Sequence, residues 1–352
     1  MAVYSLERFS ILLVEDNSFV RNILEDLLRQ FRFGQVLSAS DGAEAIDALK
    51  SRSKISATGG GVDLIIADYK MTPVNGLLLL RWVRNSKESP NRFIPFIMLS
   101  GAADRENVWA ARDIGVSEFL AKPFSTVEVY KKILEAIDYP RPFFVTQDYC
   151  GPDRRRKKLP PPKEDLRKTT EDDVVTVYSA DKVVKPKKPT DVWCFRPPNN
   201  LRAKADGGGD GGPGELPMEL LEEAEAQLKR ASLDFTEWCL QYLSQIQDLC
   251  TEALLHPGRR TLHFEKINLL AHELRGQGGT FGHPLVSVVG KMLYECTGDR
   301  CREDDNAIEI VKSHVDIMRV VIREKISGDG GRMGRELLES LRQAVEKYSV
   351  VD

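Results

Sequence analysis

The sequence predicts an α/β domain with a doubly wound, five-stranded parallel sheet, followed by a second domain that is an all-α helical bundle. Three observations predict this arrangement. Residues 8–140 alternate short apolar runs with helical patterns, residues 141–216 are rich in Pro, Lys, Arg and Gly, and residues 217–348 are helical in pattern almost throughout. At 352 residues, the chain is also longer than the ~100–200 residues of one ordinary domain.

The first domain, residues 8–140, is predicted from apolar runs that alternate with amphipathic segments. The runs are short and nearly free of polar residues, which is typical of parallel strands buried on both faces. Right-handed crossovers between such strands give a doubly wound sheet, whose ligands bind at the carboxyl ends of the strands. The runs lie at 11–14, 36–37, 64–66, 96–99 and 119–120.

Residues 141–216 interrupt this alternation, and we expect them to form a largely disordered linker. The linker ends in a Gly-rich stretch at 207–212 and carries basic runs at 154–158 and 185–188. Blocks of like charge usually remain solvated, so linker charge is favoured here over contact with nucleic acid or an acidic partner. A short strand is predicted at 174–178.

The second domain, residues 217–348, shows apolar residues at three- and four-residue spacing and no strand-like runs. This pattern predicts an antiparallel helical bundle. The helical segments are expected at 219–255, 262–281, 284–295, 306–323 and 334–345.

Composition excludes several classes of protein. No apolar run approaches the ~20 residues of a membrane-spanning helix, and acidic residues interrupt the N-terminus before a secretory signal is complete, so we expect a cytoplasmic protein. The six cysteines lack zinc-site spacing and are expected to be reduced and mostly buried. A net charge of -3 gives no indication of nucleic-acid binding.

Polar side chains follow the apolar runs of the first domain. Glu15 and Asp16 follow the first run, Asp68 the third, Ser100 the fourth and Lys122 the fifth. Because the carboxyl ends of parallel strands meet at one edge, these groups should converge. Three carboxylates would repel each other unless they shared a cation, and oxygen ligands suit Mg²⁺. With a lysine nearby, this layout is typical of phosphoryl transfer.

The first domain resembles the receiver domain of two-component response regulators, which has a flavodoxin-like fold. The residues that carry the resemblance are Leu-Val-Glu-Asp-Asn at 13–17, Asp-Tyr-Lys-Met-Thr-Pro-Val-Asn-Gly at 68–76, Leu-Ser-Gly-Ala at 99–102 and Phe-Leu-Ala-Lys-Pro-Phe at 119–124.

The resemblance implies roles for individual residues. Asp68 would accept a phosphoryl group from a phosphohistidine, and Asp16, Asp68 and the Lys70 carbonyl would ligate Mg²⁺, with Glu15 acting largely through metal-bound water. Lys122 would pair with the phosphoryl oxygens. Ser100 and Phe119 would form the switch pair, in which the hydroxyl moves to the phosphoryl group and the ring moves into the vacated space.

A second candidate site surrounds His272 in the helical domain. The apolar stripe of this segment includes Ala271 and Leu274, and His272 is expected to point away from it toward solvent. Arg275 and Gly276 lie on the same side as His272, because steps of three and four return to one helical face. The segment resembles the motif of histidine-containing phosphotransfer (HPt) domains, which implies that His272 is a phosphohistidine.

Two other interpretations of His272 remain open. One takes His272 as an ordinary surface histidine on an interaction module, and the other takes it as the autophosphorylated histidine of a sensor kinase. The kinase interpretation is disfavoured, because Gly276 replaces the usual Thr/Asn-Pro and no nucleotide-binding domain follows.

We therefore expect a phosphorelay response regulator rather than an enzyme. Its partners would be a cognate sensor histidine kinase or phosphotransfer protein, and a downstream receiver is a further candidate. Membranes are not expected as partners, and nucleic acid ranks low. The competing hypothesis is a phosphorylation-dependent switch, whose helical domain binds a partner without phosphotransfer.

Overall fold

The structure is a computed structural model, and it describes residues 2–55, 61–101, 105–154, 174–177, 186, 191–196, 200–205, 213–298 and 301–349. The chain divides into two compact units. The main parts of the first are Met1–Leu120 and Thr126–Glu225, and the main part of the second is Ala226–Asp352.

The first unit contains the predicted five-stranded parallel sheet, whose strands, counted along the chain, lie in the order 2-1-3-4-5 with helices between successive strands. The fold class predicted from the sequence is therefore confirmed. The strands are β2 Ser10–Val14, β3 Gln35–Ala39, β4 Leu64–Asp68, β5 Phe96–Gly101 and β6 Glu118–Lys122; β1, Ala2–Val3, lies outside this sheet. The helices are α1 Ser18–Gln30, α2 Gly42–Ile55, α3 Gly76–Asn85, α4 Arg105–Ile114 and α5 Thr126–Asp138.

The core of this sheet explains why the apolar runs are continuous. Every residue of β2 and of β4 is buried, because helices cover both faces of the sheet. Helix α1 contributes Val20, Leu24, Leu27 and Leu28 to the core, which follow the three- and four-residue spacing of one helical face.

The expected linker, 141–216, carries more secondary structure than its composition indicates. Its described parts contain β7 Phe143–Val145, β8 Cys150–Pro152, β9 Val174–Val177, β10 Val192–Phe195, helix α6 Asn200–Lys204 and β11 Gly214–Glu215. Four of these strands form a sheet of order β8-β7-β10-β9, and β11 pairs with β1. The strand predicted near 174 is present as β9. Most of the two basic runs lies outside the described residues.

A buried arginine connects three segments at the amino ends of β5 and β6. The Arg84 side chain is fully buried and donates hydrogen bonds to the carbonyl oxygens of Gly115 (2.9 Å), Arg92 (2.7 Å) and Ile94 (2.8 Å). The ring of Phe143 in β7 lies 5.1 Å from the guanidinium carbon. Burial lowers the pKa of Arg84 to about 10. Arg84 therefore satisfies backbone acceptors that no strand or helix pairs.

The second unit is helical, as the sequence predicts. Its helices are α8 Arg260–Gln277, α9 Pro284–Cys296, α10 Asp305–Arg323, α11 Gly331–Ser349 and all but the first eight residues of α7 Met218–Leu255. Contacts join α8 to α9, α9 to α10 and α10 to α11. Phe235 in α7 stacks on Phe281 with ring centroids 5.0 Å apart. The Asp304 carboxylate caps α10 at the Ala307 amide, and that hydrogen bond lowers the pKa of Asp304.

No disulfide joins the six cysteines in the described residues, and four of them are buried. Within the described ranges, no helix has the length and apolar character needed to cross a membrane.

Candidate functional site

The first part of the site is the junction between β2 and α1. Glu15 and Asp16 follow β2 directly, and the Asn17 side chain caps α1 by accepting hydrogen bonds from the amides of Phe19 (3.1 Å) and Val20 (3.2 Å). The cap ends the strand and starts the helix within three residues, which fixes the backbone that carries both acidic side chains. Arg21 adds a hydrogen bond of 2.5 Å to the Glu15 carbonyl oxygen.

The second part is the carboxyl end of β4. Asp68 is its last residue and is buried, and the next amide, that of Tyr69, donates to the Leu99 carbonyl of β5 at 2.8 Å. A Cβ atom on Gly76 would lie 2.1 Å from the Asp68 carbonyl oxygen. Only glycine therefore allows the start of α3 to lie this close to Asp68.

The two parts bring three carboxylates together. Oxygen atoms of Glu15, Asp16 and Asp68 lie within 4.8 Å of one another, with Glu15 and Asp68 buried and Asp16 exposed. Burying like charges at this separation is costly unless a cation neutralises them. An all-oxygen ligand set with one exposed member fits a hydrated Mg²⁺ ion, which retains several water ligands.

The other residues predicted for this site lie on neighbouring strands. Ser100 is buried near the end of β5, and Lys122 is the last residue of β6. Phe119, also in β6, is half-buried and packs against the core of the sheet. Lys70 follows β4 by two residues. The sheet order places the ends of β2, β4, β5 and β6 along one edge, as predicted.

The predicted site in the helical unit lies in the second half of α8. The stripe that includes Ala271 and Leu274 is buried, as predicted. His272, however, is half-buried rather than exposed, because α9 packs against this part of α8. Arg275 is likewise half-buried, and Gly276 is buried. The expectation of a solvent-exposed imidazole is therefore wrong, because the His272 side chain is only partly exposed.

Close contacts within the helical domain explain why glycine occupies two positions in this region. A Cβ atom on Gly278 would lie 2.8 Å from both the His283 carbonyl oxygen and the Ser287 amide nitrogen. A Cβ atom on Gly290 of α9 would lie 2.7 Å from the Arg275 amide nitrogen. These two glycines thus permit close packing of α8 and α9.

The sequence analysis did not predict the roles of several residues that shape the two sites. Asn17, which the motif at 13–17 includes without a role, and Arg21 fix the backbone of the acidic cluster. An asparagine directly before a predicted helix is a signal for an N-cap, so the role of Asn17 could have been predicted. Gly290 and Tyr294 of α9 contact α8 near His272. Their contacts depend on how two helices align, for which the sequence gives no local signal.

The first unit is thus a doubly wound parallel α/β domain with a cluster of three carboxylates at the carboxyl ends of its strands. Residues 11–134 match the family described as "Response regulator receiver domain". Chemotaxis protein CheY-3 of Vibrio cholerae is 30% identical over 127 residues, which are 36% of this chain and 90% of that protein. Chemotaxis protein CheY of Pseudomonas aeruginosa is 33% identical over 127 residues, which are 36% of this chain and 94% of that protein.

Among solved structures, the receiver domain of a sensor histidine kinase from Pseudomonas aeruginosa PAO1, with a magnesium ion coordinated in its active-site cleft, is 29% identical. That match covers 36% of this chain and 94% of that chain, with a TM-score of 0.30. On the family match and the two curated relatives, the chain belongs to the response regulator receiver family. Its first unit is a receiver domain of a two-component system with an acidic site, and a helical region follows it.

Proposed function

We propose that Asp68 accepts a phosphoryl group from a phosphohistidine of a partner protein. The observation that carries the proposal is the cluster of Glu15, Asp16 and Asp68 oxygens within 4.8 Å of one another. A carboxylate oxygen of Asp68 forms the new bond to phosphorus while the bond from phosphorus to the imidazole nitrogen breaks, and the imidazole leaves with the bonding electrons. The family of the chain makes a sensor histidine kinase or phosphotransfer protein the fitting donor.

The neighbouring residues have distinct proposed roles. Asp16, Asp68 and the Lys70 carbonyl would hold Mg²⁺, with Glu15 acting through water, and the bound cation would neutralise charge on the phosphoryl oxygens. The Lys122 ammonium pairs with the same oxygens. The Ser100 hydroxyl donates to the phosphoryl group, and Phe119 moves into the vacated space.

Acetyl phosphate provides a direct test, because it phosphorylates a reactive aspartate without a partner protein. The purified chain incubated with acetyl phosphate and MgCl₂ should gain one phosphoryl group by intact mass spectrometry, and chelation of the metal should prevent the gain. The Asp68→Asn variant should gain none. Asp47→Asn, which changes an exposed carboxylate in α2, is the matched control and should behave as the unmodified chain. Equal phosphorylation of the Asp68→Asn variant would disprove the assignment.

We further propose that His272 relays or exchanges the phosphoryl group. Support comes from the arrangement on α8, where Arg275 lies one turn after His272 and Gly276 adds no side chain to the same face. An imidazole with an adjacent fixed cation suits transfer to and from an anionic phosphoryl group.

Two full-length variants test this relay without a cognate kinase. The His272→Gln chain, radiolabelled on Asp68 by acetyl phosphate, serves as the donor, and a size-tagged Asp68→Asn chain serves as the acceptor. Label on the acceptor that is acid-labile and alkali-stable supports the relay, provided that an acceptor with both substitutions takes none. Absence of label on the single-variant acceptor would reject His272 as a phosphorelay residue.

The second candidate function is a switch in which phosphorylation of Asp68 changes how the helical region binds a partner protein, without phosphotransfer. The half-buried state of His272 favours this candidate, because a phosphorelay histidine must reach the donor phosphorus. An unlabelled Asp68→Asn acceptor, together with normal phosphorylation of Asp68, would select the switch.

A further inference from the structure

The ring of Tyr294 in α9 contacts the two functional candidates of α8 together. Its centroid lies 5.6 Å from the centroid of the His272 imidazole, with an angle of 53° between the ring planes. The guanidinium carbon of Arg275 lies 5.0 Å from the same Tyr294 centroid. One aromatic side chain therefore adjoins both the candidate nucleophile and the cation one helical turn away.

The position of Tyr294 is fixed by the backbone on both sides of it. One turn earlier, Gly290 lets α9 lie so close to α8 that a Cβ atom there would be 2.7 Å from the Arg275 amide. Asn268 of α8 donates hydrogen bonds to the carbonyl oxygen of Tyr294 itself (2.8 Å) and to the hydroxyl of Thr297, three residues later (3.0 Å). The two helices are thus held in one alignment, which keeps the backbone of Tyr294 next to the His272 turn of α8.

We propose that Tyr294 is a positioning residue for phosphoryl transfer at His272, an inference that rests on the proposed relay function. The ring limits rotation of the imidazole and holds the Arg275 guanidinium beside it through its electron-rich face. In the transfer step, an imidazole nitrogen of His272 forms a bond to phosphorus, and the bond from phosphorus to the aspartyl oxygen of the donor breaks. The carboxylate leaves with the bonding electrons, and Arg275 neutralises charge on the phosphoryl oxygens.

Substitutions at Tyr294 separate the effect of the ring from that of side-chain volume. Tyr294→Phe keeps an aromatic face for both neighbours, whereas Tyr294→Leu fills part of the space without a π-system. Tyr348→Leu is the matched control, because Tyr348 in α11 is a half-buried tyrosine of the same unit whose ring adjoins Lys347 rather than α8.

The first measurement concerns geometry and does not depend on phosphotransfer. The imidazole proton resonances of His272, assigned in the full chain by their loss in His272→Gln, should carry a ring-current shift from Tyr294. We expect Tyr294→Leu to abolish this shift, and Tyr294→Phe and Tyr348→Leu to preserve it. Unchanged His272 resonances in Tyr294→Leu would overturn the proposal, because the ring would then not lie beside the imidazole.

The second measurement is the rate of transfer from the labelled His272→Gln donor to Asp68→Asn acceptors that also carry the Tyr294 substitutions. Tyr294→Leu should lower the maximal rate about tenfold or more while the half-saturating donor concentration stays unchanged, because misplaced reacting groups cost rate rather than binding. Tyr294→Phe should retain the rate to within about threefold.

The outcomes distinguish this proposal from the relay itself. If the acceptor with Tyr294 intact takes no label, the relay fails and the positioning role fails with it. If that acceptor is labelled but Tyr294→Leu is labelled equally fast, the relay stands and the positioning role is refuted. A Tyr294→Phe rate as low as that of Tyr294→Leu also refutes it, since the aromatic face would not be the cause.

Discussion

Replacement of Arg84 by methionine should destabilise the receiver domain strongly, although no acidic partner is lost. The substitution keeps most of the side-chain volume but leaves the carbonyl oxygens of Gly115, Arg92 and Ile94 without their buried donor. An orphaned buried acceptor costs about 1–3 kcal/mol, so three cost about 3–9 kcal/mol. Removing a buried charge offsets part of this: a pKa lowered to about 10 corresponds to roughly 3 kcal/mol of unfavourable burial. Subtracting the second quantity from the first leaves about 0–6 kcal/mol, and we expect a net loss near the middle of that range, about 3 kcal/mol.

Urea unfolding of the full chain, followed by hydrogen-exchange mass spectrometry of peptides from β4 and β5, would measure this loss in the receiver domain alone. Arg81→Met is the matched control, because Arg81 lies on the exposed face of the same helix. The reasoning is refuted if Arg84→Met unfolds at the same urea concentration as Arg81→Met, because water or neighbouring groups would then satisfy the three carbonyls.

Three further predictions follow from the structure. Gly290→Ala should lower the free energy of unfolding by about 1–3 kcal/mol, because its Cβ atom would meet the Arg275 backbone; Gly258→Ala, with open space around it, should have little effect in the same thermal unfolding assay. Burial lowers the pKa of His314, so the neutral imidazole stabilises the folded state at pH values above 6.5, and this contribution is lost as the pH falls through the lower pKa of the folded state. His314→Gln should therefore make the free energy of unfolding, measured with urea, less dependent on pH in this range. Asp16→Asn should weaken Mg²⁺ binding about tenfold or more by calorimetry, and unchanged affinity would exclude Asp16 as a ligand.

Strand positions and the acidic cluster could be predicted from the sequence because both follow from local patterns. The continuous apolar runs that end at Val14 and at Leu99 each correspond to a buried strand of the parallel sheet. Asp68 follows the third apolar run and ends strand β4. The carboxyl ends of parallel strands lie at one edge of the sheet in any strand order. The convergence of Glu15, Asp16 and Asp68 therefore needed only the fold class, and the structure confirms it.

The sheet formed within residues 141–216 could not be predicted in the same way. Strand β7 has only three residues, and it pairs with β10, which lies more than forty residues further along the chain. Proline and charged residues dominate the composition between them, and composition was the basis for expecting disorder. The burial that stabilises β7 comes from Phe93 and Phe195. The ring of Phe93 lies 5.3 Å from the ring of Phe143 in β7 and 5.0 Å from the ring of Phe195 in β10. Such long-range contacts leave no periodic signal in a short segment.

Glycine marks both candidate sites, and in each the sequence shows the residue but not its partner. At Gly76 the partner is the Asp68 carbonyl oxygen, only eight positions earlier, so the position of the glycine could be linked to the acidic site through the family motif. At Gly290 the partner is the Arg275 backbone on another helix, and nothing in α9 itself indicates that alignment. A glycine inside a helix costs ~1 kcal/mol relative to alanine, so its presence in α9 requires a compensating contact. The close approach to α8 supplies it, and the same approach places Tyr294 beside His272. The cost of Gly290 and the arrangement of the candidate phosphotransfer site thus have one physical cause.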